Sequence, residues 1–246
     1  KMESVRVAFI GLGARGSGHL KSIAKLKGVE VVAISDLFED NVIRSLKVAN
    51  EIGKGERHNK IAQYWGEDNK WKLMLKEIKP DAVFISTNWN NHAPMAIHSM
   101  ENGAHAFVEV PIAVTIEDMW KIVNTSEETQ KHCMMMENVN YGRDELMYLN
   151  MCRKGVIGEL LHAEAAYIHE LRFQMSQEER GTGSWRTHHY ANGKGNLYPT
   201  HGLGPVAQYM NLGRKEDTFE SLISYSSPAL GRKLYAEKNY SSDHKW

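Results

Sequence analysis

Gly11, Gly13 and Gly16 stand at the spacing of a dinucleotide-binding turn, and Asp36 lies 20 residues past the last of them. In such a turn the first glycine makes the tight reversal and the second lets the backbone approach a pyrophosphate. The third lets the following helix pack on the strand, so that the helix N-terminus faces the phosphates. An acid about 20 residues further on can accept the ribose hydroxyls and disfavour a 2′-phosphate. Ala14 and Arg15 complete the turn, and Arg15 brings a cation to the phosphates. A second group of residues suits proton transfer. Tyr167 and His169 alternate, so an extended chain turns them to one side, and Tyr198 precedes His201 by three residues. Histidine and tyrosine have reference pKa values of ~6.5 and ~10, which bracket neutral pH.

These residues need elements to position them. Val5–Ile10 reads as a buried strand entering the glycine turn, a helix follows over Gly18–Lys27, and Val29–Asp36 reads as the next strand. The βα rhythm continues with helices near Asn41–Ile52 and Trp71–Ile78, the latter preceded by a charged segment that contains Tyr64-Trp65. Next come the strand Ala82–Thr87, a polar loop Asn88-Trp89-Asn90-Asn91-His92 and a helix His92–Asn102. The strand Ala104–Val110, the helix Thr115–Gln130 and the short strand Cys133–Met136 complete the series, with Glu137-Asn138 behind it. Alternation of this kind predicts a parallel, doubly wound sheet, whose ligands bind beyond the carboxyl ends of the strands. Each polar loop there becomes a cofactor-site candidate: Gly11 to Gly16, Asp36, Trp89 to His92, Glu109-Val110 and Asn138.

The pattern changes after residue 140. A helix Arg143–Arg153 leads to Gly155-Val156-Ile157-Gly158-Glu159 and then to an alternating strand, Leu161–His169. A loop rich in glycine, tryptophan and histidine (181–195) follows, with Arg186 in it. Tyr198-Pro199-Thr200-His201-Gly202 comes next, also read as loop. The expectation is α/β: a Rossmann domain over 1–140, then an α+β domain over 141–246 with a mostly antiparallel sheet, incomplete at its C-terminus.

Composition removes several function classes. Among 246 residues, 30 basic and 30 acidic side chains cancel, which argues against an electrostatic grip on nucleic acid. No apolar run approaches the ~20 residues of a membrane helix. Cys133 and Cys152 are too few for a disulfide framework and sit in no zinc spacing, so no metal is expected. The adjacent His188 and His189 would point to opposite sides of an extended chain. Ser241–Trp246 closes no recognisable element.

Phe84-Ile85-Ser86-Thr87, the helix from His92, Gly103–Pro111 and Gly155-Val156-Ile157-Gly158-Glu159 resemble the glucose–fructose oxidoreductase and inositol dehydrogenase family (Gfo/Idh/MocA). Most members of that family read Glu-Lys-Pro where this chain reads Glu109-Val110-Pro111, and their lysine assists hydride transfer. The family's Asp-x-Gly-x-His stretch aligns with Thr200–Gly204, without both of its catalytic side chains. These departures, together with Trp89-x-x-His92, His132–Asn138, Gly183–Thr187 and Tyr198–Pro205, resemble a narrower group. That group is the NAD-dependent α-N-acetylgalactosaminidases of glycoside hydrolase family 109.

The resemblance implies bound NAD and a glycan substrate with terminal α-linked N-acetylgalactosamine. It implies a transient oxidation at C3 of the sugar, elimination across C2 and C1, water addition and return of the hydride. Most glycosidases instead flank the bond with two carboxylates, and no such pair stands out here. The implied catalytic residues are His201, Tyr198, Tyr167 and His169, with Tyr167, Arg186, Tyr198, Pro199, Thr200 and His201 on the substrate. The implied cofactor contacts are Gly11, Gly13, Ala14, Arg15, Gly16, Asp36, Trp89, Asn90, Asn91, His92, Glu109, Val110 and Asn138. A bacterial, exported protein that has lost an N-terminal signal is also implied, and homo-oligomerisation stays open. Two other readings compete: a sugar or polyol dehydrogenase of the broader family, and a non-catalytic sugar-binding homologue or fragment.

Overall fold

The computed structural model describes residues 4–52, 60–196, 198–213 and 217–240. Lys1-Met2 and Ser241–Trp246 lie outside the described residues. The chain forms two compact units, Lys1–Met136 and Glu137–Trp246.

The first unit is a six-stranded parallel sheet. Its strands are β1 (Val5–Ile10), β2 (Val29–Asp36), β3 (Ala62–Trp65), β4 (Ala82–Ile85), β5 (His105–Val108) and β6 (Cys133–Met135). They lie in the order β3-β2-β1-β4-β5-β6, all neighbours parallel. Five helices connect them: α1 (Ala14–Ile23), α2 (Glu39–Ile52), α3 (Lys70–Ile78), α4 (Trp89–Glu101) and α5 (Ile116–Thr129). The order reverses between β1 and β4, and doubly wound sheets bind ligands beside that switch point.

Both sheet faces are covered, which is why the central strands read as apolar runs rather than alternations. Ala8, Ile10, Val83, Ile85, Ala106 and Val108 pack against Met74, Leu75, Ala93, Ala96, Met100 and Ile122 from α3, α4 and α5. On the other face Val7, Phe9, Val31, Ile34 and Phe84 meet Leu20 and Ala24 at α1 and Val42 and Ala49 of α2. Full burial of side chains such as Leu20 and Leu75 stabilises the fold by about 1.5–3 kcal/mol each. Across three adjacent strands the phenyl rings of Phe9, Phe84 and Phe107 stack, with centroids 5.1 and 4.9 Å apart. These residues are direct register partners.

Several boundaries differ from the sequence reading. Tyr64-Trp65 closes a sheet strand, β3. The helix after the glycine turn starts at Ala14, directly behind Gly13. Trp89–His92 is the first turn of α4 rather than a loop, because Asn88 caps it: its side chain accepts a hydrogen bond from Asn91 N at 3.1 Å.

The second unit holds α6 (Arg143–Arg153), α7 (Gly183–Asn192), α8 (Thr200–Tyr209) and α9 (Leu230–Asn239), with short 3₁₀ turns at Asn138–Asn140 and Arg172–Ser176. The segment expected as loop at 181–195 is largely α7, and the one holding His201 is the first turn of α8. His188 and His189, on α7, are therefore not opposed across an extended chain. Their ring centroids lie 6.1 Å apart. The expected strand Leu161–His169 forms no ladder, and among the described residues the expected antiparallel sheet is not present. A strand needs a neighbour about 4.8 Å away to pair its backbone, and none of the described residues supplies one. Leu161 and Ile168 are accordingly about nine-tenths exposed, at 88% and 92%.

Candidate active site

The glycine turn of the first unit has the shape of a phosphate cradle. Gly11 sits at φ +85°, and a Cβ there would lie 2.5 Å from Ser86 O. A Cβ on Gly16 would overlap Gly11 O, so helix and turn meet only because that side chain is missing. Gly13 differs: nothing lies within 4 Å of where its Cβ would be. The bare backbone there opens onto space, at the N-cap of a ten-residue helix with no acidic residue in its first turn and no side-chain cap. Uncapped N–H groups and a positive dipole end favour an anion. The residues present thus fit a dinucleotide pyrophosphate.

Asp36 ends β2 beside this turn. Its Oδ2 accepts from Leu12 N at 2.6 Å, and its Oδ1 from Phe38 N at 2.9 Å and Asn41 Nδ2 at 3.0 Å. A carboxylate offers about four acceptor positions, so one stays open for a ribose hydroxyl. Arg44, which the sequence reading passed over, donates to Leu12 O and Asn41 Oδ1 and braces the same loop.

Glu109 follows β5 and is buried. His19 Nε2 lies 2.6 Å from its Oε1, Arg15 Nε 3.4 Å from the same oxygen, and Val110 N donates to Oε2. Burial opposes the charge of Glu109, but the His19 hydrogen bond, the charges of Arg15 and His19 and the Val110 amide outweigh it. The carboxyl is held below its ordinary value. His19 was not foreseen, although it lies one helical turn after Arg15 and so on the same face. Trp89 and His92 are buried, and Asn90 and Asn91 lie in the same first turn of α4. Both ring nitrogens of His92 face carbonyl oxygens, Pro111 O at 2.7 Å and Thr87 O at 3.1 Å. His92 clasps the loop after β4 to the loop after β5. Val110, in the place of the family lysine, is buried.

The second unit gathers its own chemistry. The ring of His201 lies parallel to that of Tyr198, 5.4 Å away and 4° off plane, and 5.2 Å from that of Tyr167. Tyr167 and Tyr198 are 4.8 Å apart. The Tyr167 hydroxyl meets His169 Nδ1 at 2.6 Å, so the two share a side even without a ladder. The Arg186 guanidinium lies over the rings of Trp185 and Tyr198, at 5.0 and 5.4 Å. Burial and the neighbouring Tyr190 push the Tyr167 hydroxyl above its usual value, partly offset by Arg186. Tyr167 is therefore a proton donor at neutral pH.

His201 Nδ1 bonds Glu137 Oε1, and Glu137 is buried at 2% exposure. Glu137 also escaped the sequence reading. The one available signal was a carboxylate placed directly after an apolar strand, β6. Pro199 is exposed, and its carbonyl accepts from Leu203 N as α8 begins, with Thr200 the helix's first residue. Asn138 is exposed at the head of a 3₁₀ turn. Among the described residues no group of three or more His, Cys, Asp or Glu side chains is placed to hold a metal ion. No described helix is long and apolar enough to cross a membrane.

Residues 5–137, the glycine turn and whole parallel sheet among them, match the family model described as an oxidoreductase family with an NAD-binding Rossmann fold. The chain belongs to the Gfo/Idh/MocA family. Residues 141–246 match the C-terminal domain of glycosyl hydrolase 109, so this Gfo/Idh/MocA member also matches the narrower group that its sequence resembles. Glycosyl hydrolase family 109 protein 1 of Akkermansia muciniphila is 60% identical over 246 residues, which is all of this chain and 50% of that protein. A Shewanella oneidensis protein named alpha-N-acetylgalactosaminidase is 56% identical over 245 residues, 52% of its length. The chain thus spans about half the length of the curated relatives it matches. Scyllo-inositol dehydrogenase from Lactobacillus casei, solved with NAD(H) and scyllo-inositol, superposes with a TM-score of 0.55 at 20% identity, over 63% of this chain and 43% of that one. That likeness shows the shared fold.

Proposed function

We propose that the protein is an NAD-dependent glycosidase acting on terminal α-linked N-acetylgalactosamine. The observation that carries this reading is the identity of 56–60% to glycosyl hydrolase 109 relatives along the entire chain. The site chemistry agrees with it. Tyrosines, a second histidine and an arginine gather near His201, with the Glu137 carboxylate on its ring, and Val110 stands where a dehydrogenase of this family has lysine.

Gly11 to Gly16, Asp36 and the Arg15–Glu109 neighbourhood would hold the dinucleotide, with the Trp89–His92 turn, Val110 and Asn138 as further contacts. When bound, NAD supplies reversible hydride exchange at C3 of the sugar. The ketone state of C3 acidifies the C2 proton, and His201 takes that proton. Tyr167, protonated at neutral pH, donates to the glycosidic oxygen as the C1–O bond breaks and a C1=C2 double bond forms. Tyr198 and His169 hold and return the proton of the C3 hydroxyl. Water adds to C1, its proton restoring Tyr167, and His201 returns a proton to C2. Arg186, lying over the rings of Trp185 and Tyr198, contacts the sugar together with Thr200 and Pro199. The balance is hydrolysis with no net redox change. The relatives' names point to bacteria, and export after loss of an N-terminal signal is part of the same proposal.

The test uses the full-length protein in heavy water with an α-N-acetylgalactosaminide. The released sugar is expected to carry deuterium at C2 with no accumulation of NADH. Stoichiometric NADH would make the protein a dehydrogenase instead, and hydrolysis without deuterium would remove the elimination route.

A further inference from the structure

We propose that Glu137 is a positioning residue for His201: it holds the imidazole proton on Nδ1 and presents Nε2 as the proton acceptor. The inference rests on the glycosidase reading only for which proton is moved; the pairing itself stands on the geometry. Glu137 and His201 are 64 residues apart, with side-chain exposures of 2% and 14%, and their contact is between Oε1 and Nδ1. A neutral imidazole has one donor and one acceptor nitrogen, and a carboxylate on Nδ1 makes that nitrogen the donor. The same logic underlies the acid–histidine pairs of hydrolytic triads, where the carboxylate orients the ring and stabilises the imidazolium as it forms.

Three further observations separate this pair from an incidental ion pair. The imidazole stacks on the ring of Tyr198, and the ring of Tyr167 lies tilted at 38° beside it, so its faces as well as its edge have neighbours. Glu137 Oε2 is buried with no hydrogen-bond partner among the described residues. Leaving a carboxylate oxygen in that state is costly, and a core evolved for stability alone would replace it. The local sequence is also shaped to bring the two together. A Cβ at Gly204 would lie 2.6 Å from Asn140 Nδ2, and one at Gly202 would lie 2.9 Å from Ala165 Cβ. The glycines flanking Leu203 let α8 settle against the turn that Glu137 opens and against the segment that carries Tyr167.

The test is Glu137→Gln in the full-length protein, alone and combined with His201→Ala. Turnover is expected to fall roughly 10²–10³-fold with KM for the sugar and Kd for NAD within about twofold of wild type. The double variant should be no slower than His201→Ala alone, because the carboxylate acts through the imidazole. In ¹⁵N-histidine-labelled protein the His201 proton should reside on Nδ1 in the wild type and redistribute toward Nε2 in Glu137→Gln. Additive losses in the double variant, or a wild-type His201 protonated on Nε2, would overturn the proposal. If the labelled protein behaves as expected but no variant or wild type hydrolyses an α-N-acetylgalactosaminide, the pairing stands and the glycosidase reading falls.

Discussion

Replacing Gly13 by alanine separates the fold from the cofactor site more cleanly than any other change in the glycine turn. Its φ of −63° suits any residue, and nothing lies within 4 Å of the new methyl group. Alanine stiffens the unfolded chain, which stabilises the fold by about 0.4–1 kcal/mol. It is also a poorer N-cap than glycine, which costs about 0.5–1 kcal/mol. The two effects cancel to within about 1 kcal/mol, so the Tm should move by no more than ~2–4 °C. The methyl group would, however, occupy the space through which a pyrophosphate reaches the N–H groups of α1. NAD affinity should therefore fall at least about tenfold, or ~1.4 kcal/mol. Thermal unfolding by circular dichroism and calorimetric titration with NAD measure the two quantities on one sample. A well-folded Gly13→Ala protein with wild-type NAD affinity would show that no dinucleotide uses this turn.

Gly16→Ala should behave in the opposite way, destabilising the first unit by about 3 kcal/mol because its Cβ overlaps Gly11 O. A denaturation midpoint as high as that of Gly13→Ala would contradict the packing argument. Glu109→Gln should cost about 1–2 kcal/mol at neutral pH, since the carboxylate's bonds to His19 and Val110 are charge-assisted. The Glu109 carboxyl is held below its ordinary value of 4.5 in the folded protein, so this contribution is complete above about pH 4.5 and is lost as pH falls through the lower folded value. The stability gap between wild type and Glu109→Gln, followed by denaturant titration from pH 7 down to 3, should close over that acid range. A gap that widens there would refute the assignment.

The first unit was largely legible because its signals are local. The apolar runs of β1 and β2 and the glycines between them appear in consecutive residues, and both strands were bounded correctly. β3 was missed because it is an edge strand whose alternating exposure hides Tyr64 and Trp65 among charges. The reading of Tyr198–Gly202 as loop, where α8 in fact begins at Thr200, failed for a different reason. Gly202, Gly204 and Pro205 argue against a helix by propensity, yet the two glycines are there for close packing against Ala165 and Asn140, and packing prevailed. Alternation over 161–169 correctly put Tyr167 and His169 on one side but could not supply a partner for a ladder. His19 and Glu137 were invisible for a common reason: their partners lie 90 and 64 residues away, and one sequence shows no such pairing.

The stacked rings of Phe9, Phe84 and Phe107 have a mechanical consequence. A slip of one residue between any two of these strands would send a phenyl group to the opposite face, where Ala8, Val83 and Ala106 leave room only for small side chains. The three aromatic rungs therefore act as a spirit level for the sheet. With the rungs flush, β1, β4 and β5 stop at one height, and the glycine turn, the Asn88 cap and Glu109 emerge along a common rim. A dinucleotide is a long ligand that touches several loops at once, and a level rim lets those contacts act together.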